Sequence, residues 1–139
     1  MNKILIDTDV LLDFFFDRKP FSENSAIILN MCERKDVMGF VTPLIISNSY
    51  YLLRRTAKHE KVIEKLKQLL TIVDVLSMNK QIITNALNSD FKDFEDALQN
   101  FAAVSNGEID VIVTRNVKDF KKSEIAILTP ESFVKLMKI

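Results

Sequence analysis

The chain has 139 residues, 47% of them hydrophobic, and its 19 basic and 19 acidic side chains cancel. This size predicts one α/β domain over residues 1–139, and the balanced charge excludes binding to nucleic acid by net charge alone. The single cysteine, Cys32, excludes an internal disulfide, and with one histidine, His59, a structural zinc site is not expected. Since no apolar run is long enough to cross a bilayer and no signal-peptide pattern is present, we expect a cytoplasmic protein without membrane contact.

Short apolar stretches alternate with helical patterns along the whole chain. Thr42-Pro43 marks a helix start, because threonine caps helices and proline is favoured in their first turn, and Asn106-Gly107 marks a helix end. In chain order the predicted elements are strand 2–6, helix 9–16, helix 22–34 capped by Ser22, strand 37–41, helix 43–58, helix 59–70, strand 72–75, helix 80–87 capped by Asn79, helix 93–106, strand 111–113, strand 125–128 and a helix from Pro130. This alternation predicts a three-layer α/β/α sandwich around a parallel sheet of about five strands.

Polar side chains follow the first and fourth predicted strands, which look buried on both faces and therefore central. Asp7 ends the first strand. Thr114, Arg115 and Asn116 end the fourth, and Asp119 lies just beyond. Because open parallel sheets place functional groups outside the carboxyl ends of their strands, we expect these residues to face one crevice.

Three further polar residues lie on predicted helices. Asp9 falls in a first helical turn, where an acid is favourable in any case, so it fits a structural and a functional interpretation equally. Asp13 lies one turn later and is expected at the surface. Asn48 has apolar neighbours at helical spacing, so its amide needs either a backbone partner or a functional role.

A second acidic cluster, DFKDFEDALQ at residues 90–99, begins a helix. Taken alone, this acidic turn is explained by the helix dipole, and a functional role requires that Asp93 and Asp96 face the same crevice as Asp7. Carboxylates that converge repel each other unless a cation joins them. Mg²⁺ or Mn²⁺ takes such oxygen ligands and keeps waters, one of which can attack a phosphodiester.

Four segments, in this order and spacing, resemble a PIN domain over nearly the whole chain. They are ILIDTDVLLD, ISNSYYLLRR, DFEDALQNFAA and VIVTRNVKDF. The resemblance implies a Mg²⁺- or Mn²⁺-dependent ribonuclease, typically the toxin of a VapBC-type toxin–antitoxin pair. It thereby implies RNA as substrate, an antitoxin protein as partner and a homodimer.

The same resemblance assigns roles to individual residues. Asp7 and Asp96 correspond to the primary metal-binding acids, with Asp93 as a helper. Asn116 and Asp119 correspond to the pair that holds metal or its water. The remaining candidates are Thr114, which would orient the site, and Arg115, Lys118, Arg54 and Arg55, which would meet substrate phosphate.

One position departs from the family, and it keeps two alternatives open. The family usually has glutamate where this chain has Asn48, whose amide oxygen can ligate a cation but adds no negative charge, so metal affinity should fall. A PIN-fold module that binds nucleic acid or protein without cleaving is therefore one alternative. A haloacid-dehalogenase-like phosphatase is the other, because DTDV after a strand would make Asp7 the nucleophile and Asp9 the acid/base.

Overall fold

The computed structural model describes residues 2–138. The strands are β1 (Asn2–Ile6), β2 (Val37–Val41), β3 (Val73–Val75), β4 (Val111–Val113) and β5 (Ala126–Leu128). The helices are α1 (Thr8–Phe15), α2 (Ser22–Glu33), α3 (Pro43–Leu53), α4 (His59–Leu70), α5 (Lys80–Leu87), α6 (Phe94–Asn106) and α7 (Pro130–Met137), with a 3-10 turn at Val117–Phe120. The predicted span 1–139 also includes Met1 and Ile139, which lie outside the described residues.

The five strands form one parallel sheet in the order β3-β2-β1-β4-β5. β1 pairs with β2 on one side and with β4 on the other, where Ile6 lies opposite Val113. Ile4 and Ile6 are fully buried, as central strands covered on both faces require. Helices flank this sheet, so the predicted three-layer sandwich with five parallel strands is confirmed.

Most predicted helix caps are present. The Thr42 hydroxyl accepts a hydrogen bond from the Ile45 amide, and Asn79 caps α5 in the same way through the Ile82 amide. Gly107 ends α6 with φ at 79°, a conformation that favours glycine. These caps are local interactions, which is why the sequence alone places them.

Two local predictions are wrong. Helix α3 ends at Leu53 and not near Lys58, because residues 54–57 form a turn in which the Arg54 guanidinium donates to the Ala57 carbonyl at 2.9 Å. Lys58 is extended and is the N-cap of α4, which begins at His59. Ser22 does not cap α2, since its hydroxyl donates to Asp17 Oδ1 at 2.8 Å instead.

Helix α2 packs closely on the sheet at Gly39 of β2. A Cβ atom added there would lie 2.6 Å from Cys32 Sγ and 3.1 Å from a Val73 methyl carbon. Real Cβ atoms do not approach a neighbour at 2.6 Å. The absence of a side chain at Gly39 therefore lets α2 pack this closely on the sheet.

Candidate active site

The end of β1 and the end of β4 bring Asp7 and Thr114 together. The Asp7 amide donates to the Val113 carbonyl at 3.0 Å, and the buried Thr114 hydroxyl donates to Asp7 Oδ2 at 2.8 Å. Asp7 Oδ1 accepts the Thr8 amide at the start of α1. Both carboxylate oxygens of Asp7 are thus held in place by the sheet edge and the helix start.

Asp9 leans from α1 toward the same strand end. Its Oδ2 accepts the Arg115 amide at 3.1 Å. Its Oδ1 is buried and has no hydrogen-bond partner among residues 2–138. A buried carboxylate oxygen without a partner is costly, while the other oxygen ties the start of α1 to the end of β4.

Helix α6 supplies a third group of acids. Asp93 Oδ1 accepts the Asp96 amide at 3.0 Å and so caps the helix. Glu95 and Asp96 follow in the first turn, and Asp96 is half-buried. Across from them, the Asn48 amide nitrogen on α3 donates to Glu95 Oε2 at 3.1 Å.

These elements surround one cavity of about 540 Å³ at the carboxyl edge of the sheet. Its wall includes Asn48, Asn116 and Arg18. In the described part of the chain, six carboxylate side chains line it, namely Asp7, Asp9, Asp93, Glu95, Asp96 and Asp119. The predicted convergence of strand-end and helix acids is therefore present as a shared cavity.

Burial and mutual repulsion disturb the titration of these acids. Burial, and then the charges of Asp93 and Asp7, raise the pKa of Asp96 to about 7. Burial and the Asp7 charge raise the pKa of Asp9 to about 6. Burial also raises the pKa of Asp7, although the hydrogen bond from Thr114 acts in the opposite direction. A cation bound among them would offset both the cost of burying charged carboxylates and the repulsion between them.

The donor set is composed of oxygens, which suits a hard divalent cation better than zinc. Within residues 2–138, however, no group of three Asp, Glu, His or Cys side chains is arranged tightly enough to hold a metal ion as it stands. Asp119 is exposed and Asp96 is half-buried, so their side chains have room to rotate without a change in the backbone. The residues fit Mg²⁺ or Mn²⁺ chemically, and ion binding requires this rotation.

Asp13 is not at the surface, contrary to the sequence prediction. It is fully buried, and the Arg115 guanidinium donates to both of its oxygens, at 2.6 and 3.0 Å. The same guanidinium stacks on Phe21, 4.0 Å from the ring centre. The side chain of Arg115 is therefore engaged in structure and lies away from the cavity wall, which does not match the predicted contact with phosphate.

The other predicted phosphate contacts are divided. Arg54 and Arg55 are exposed in the turn after α3 and do not line the cavity. Lys118 lies in a neighbouring groove of about 400 Å³. This lysine groove shares Asp93, Asp96 and Asp119 with the cavity and adds four cationic side chains, Lys92, Lys118, Lys121 and Lys122.

Sequence analysis missed Glu95 and Arg18. Glu95 stands next to Asp96, and its sequence signal was present within the acidic cluster. Arg18 follows a turn in which Asp17 has φ at 50°, a left-handed conformation uncommon for a residue other than glycine. That turn carries Arg18 into the cavity wall, and no local sequence pattern predicts it.

The fold and the acidic cavity at its strand ends define the PIN class of proteins. The chain belongs to the PIN domain family, whose model matches residues 3–118. A comparison with curated proteins finds no significant match.

Solved structures of this class share the fold at low sequence identity. VapBC2 from Rickettsia felis, bound to a promoter DNA fragment, is 15% identical with a TM-score of 0.65, covering 91% of this chain and 96% of that one. VapBC-1 from nontypeable Haemophilus influenzae is 16% identical with a TM-score of 0.67, covering 93% and 98%. VapC20 from Mycobacterium tuberculosis, a toxin that cleaves the Sarcin-Ricin loop, is 17% identical with a TM-score of 0.59, covering 78% and 86%.

Family membership also decides one of the two alternatives. A haloacid-dehalogenase-like phosphatase belongs to a different family, so that hypothesis is set aside.

Among the described helices, none combines the length and the apolar character that crossing a bilayer requires.

Proposed function

We propose that this PIN domain is a ribonuclease that depends on Mg²⁺ or Mn²⁺ and hydrolyses RNA phosphodiester bonds. The observation that carries the proposal is the set of carboxylates from β1, α1, α6 and the 3-10 turn around one cavity. Asp7 and Asp96 are the primary acids that would hold the ion. Asp93, Asn116 and Asp119 would complete its surroundings directly or through water, and Asn48 would take part through its contact with Glu95.

An ion held by these acids would supply an activated water at neutral pH and would offset the charge that develops on the phosphate. The chain itself prepares this chemistry. Thr114 and the Thr8 amide fix both oxygens of Asp7, so its direction does not depend on the ligand. Without a cation the pKa of Asp96 is raised to about 7, so at neutral pH a fraction of the molecules carry a proton there that ion binding would displace.

The charges beside the acids support a polyanionic substrate. An acidic cavity alone would repel RNA, but the lysine groove begins at Asp93, Asp96 and Asp119. Its lysines can contact the phosphates that flank the scissile bond, and Arg18 offers a further cation within the cavity wall. The arrangement thus combines cation binding at the centre with phosphate binding beside it.

The biological role that goes with this activity is the toxin of a toxin–antitoxin pair. Its support is the fold shared with solved VapBC structures and with a toxin–antitoxin complex from Klebsiella pneumoniae. An antitoxin partner, a homodimer, a cytoplasmic location and a single domain over residues 1–139 are part of the proposal. Size-exclusion chromatography with light scattering, with and without a co-expressed antitoxin candidate, would measure the assembly.

Cleavage of single-stranded and hairpin RNA pools in Mn²⁺, with EDTA as the metal-free control, tests the activity. Asp7→Asn and Asp96→Asn should abolish cleavage while the proteins remain folded. Glu131→Gln, at an exposed position of α7, should leave it unchanged. RNA binding without cleavage would favour the non-catalytic alternative, and cleavage that survives in Asp7→Asn would contradict the site.

A further inference from the structure

The contact between Asn48 and Glu95 crosses the cavity from α3 to α6. The two atoms, Asn48 Nδ2 and Glu95 Oε2, are 3.1 Å apart. A carboxylate only accepts hydrogen bonds, so the amide must present its nitrogen to Glu95 and its oxygen to the other side. The orientation of the Asn48 side chain is therefore set by the charge of Glu95.

The position of Glu95 is not explained by its place in the helix. An acid in a first turn commonly interacts with the helix dipole, but Asp93 already caps α6 through the Asp96 amide. Glu95 is exposed and could extend into solvent, yet its carboxylate turns back to an amide on another helix. This return places it in the wall that also contains Asp7 and Asp96.

We infer that Glu95 is an acid of the metal site and that Asn48 acts as the residue that positions it. The inference rests on the proposed metal dependence of the cavity. α6 contributes the negative charge and α3 contributes a neutral donor that holds it. A second carboxylate at position 48 would face Glu95 and repel it in the metal-free protein, whereas the Asn48 amide donates to it.

Binding of Mn²⁺ tests the pair without any need for turnover. The free ion gives an electron paramagnetic resonance signal that disappears on binding, so Kd can be measured for the full chain. We expect Glu95→Gln to weaken binding about 10- to 100-fold. Asn48→Ala should weaken it in the presence of Glu95 and have no further effect in the Glu95→Gln background, since its role acts through that carboxylate. Glu131→Gln is the matched surface control.

Each outcome of this experiment decides something. Wild-type Mn²⁺ affinity in Glu95→Gln, or no Mn²⁺ binding by the wild type, would overturn the role of Glu95. Equal losses from Asn48→Ala with and without Glu95 would overturn the positioning role. Melting curves in EDTA must show that the variants are folded. Intact Mn²⁺ binding with this coupling, but no RNA cleavage, would refute the proposed ribonuclease and leave this inference standing.

Discussion

Replacing Asp13 by asparagine should destabilise the protein far more than its exchange of a single atom suggests. Asp13 is fully buried in α1 and carries the charge that balances the Arg115 guanidinium. Arg18 is a second cationic neighbour, with its Nη1 3.6 Å from Asp13 Oδ1. The amide keeps the size of the carboxylate but loses its charge. Arg115 would then remain on the Phe21 ring without the charged partner that accepts its two hydrogen bonds.

The magnitude follows from the burial of the two partners. Breaking a buried ion pair costs about 3–5 kcal/mol. The side chain of Arg115 keeps 29% of its exposure, so water can reach it in part, and we expect a value of about 3 kcal/mol, at the low end of that range. With an unfolding entropy of about 2.1 cal/mol/K per residue over 139 residues, this loss lowers Tm by about 10 °C.

Urea unfolding followed by circular dichroism, together with calorimetry, measures both quantities. The control is Glu131→Gln, which removes an ion pair of similar length, 3.2 Å, whose side chains are 76% and 67% exposed. That change should cost less than about 0.5 kcal/mol, because exposed pairs contribute little. A loss in Asp13→Asn as small as in the control would refute the argument that burial makes this pair important.

Three other predictions concern the sheet and the acids. The metal-free protein should lose stability as the pH rises from about 4 to 7, because the raised pKa of Asp96 lets the folded state keep a proton that the unfolded chain releases. Tm measured against pH should therefore fall over this range, and it should fall less steeply in Asp96→Asn. Gly39→Ala should cost about 1–3 kcal/mol in urea unfolding through the clash with Cys32, and Cys32→Ala in the same chain should recover part of it; no recovery would place the strain elsewhere. Thr114→Val should weaken Mn²⁺ binding at pH 7, because Asp7 loses the hydrogen bond that lowers its pKa. An unchanged Mn²⁺ affinity, measured by electron paramagnetic resonance, would contradict this.

Features that depend on neighbouring residues could be predicted from the sequence. Strands, most caps and the position of Asp7 after a buried strand follow from local patterns and from the rule for parallel sheets. The burial of Asp13 could not be predicted in this way. Asp13 lies one turn after Asp9 on the same helix, so the local spacing equally allows an exposed acidic face, and only the contact with Arg115 distinguishes the two.

Features that depend on pairing between distant elements could not be predicted. Whether the Arg115 guanidinium binds Asp13 or remains free for a substrate phosphate depends on the distance between α1 and the end of β4. The contact from Asn48 to Glu95 depends on how α3 and α6 lie across the cavity. Single positions in a sequence carry no record of such distances, so neither contact could be predicted.

The order of the strands has a consequence for synthesis of the chain. β1 is made first, but its neighbour β4 is among the last strands to leave the ribosome, and the cavity acids come from both ends of that interval. A nascent chain that ends before Val111 contains Asp7 and Asp96 but lacks the strand that orients Asp7 and the turn that carries Asp119. A chain that stops before β4 is thus without the complete acidic cavity, which assembles only once both ends of this interval have been made.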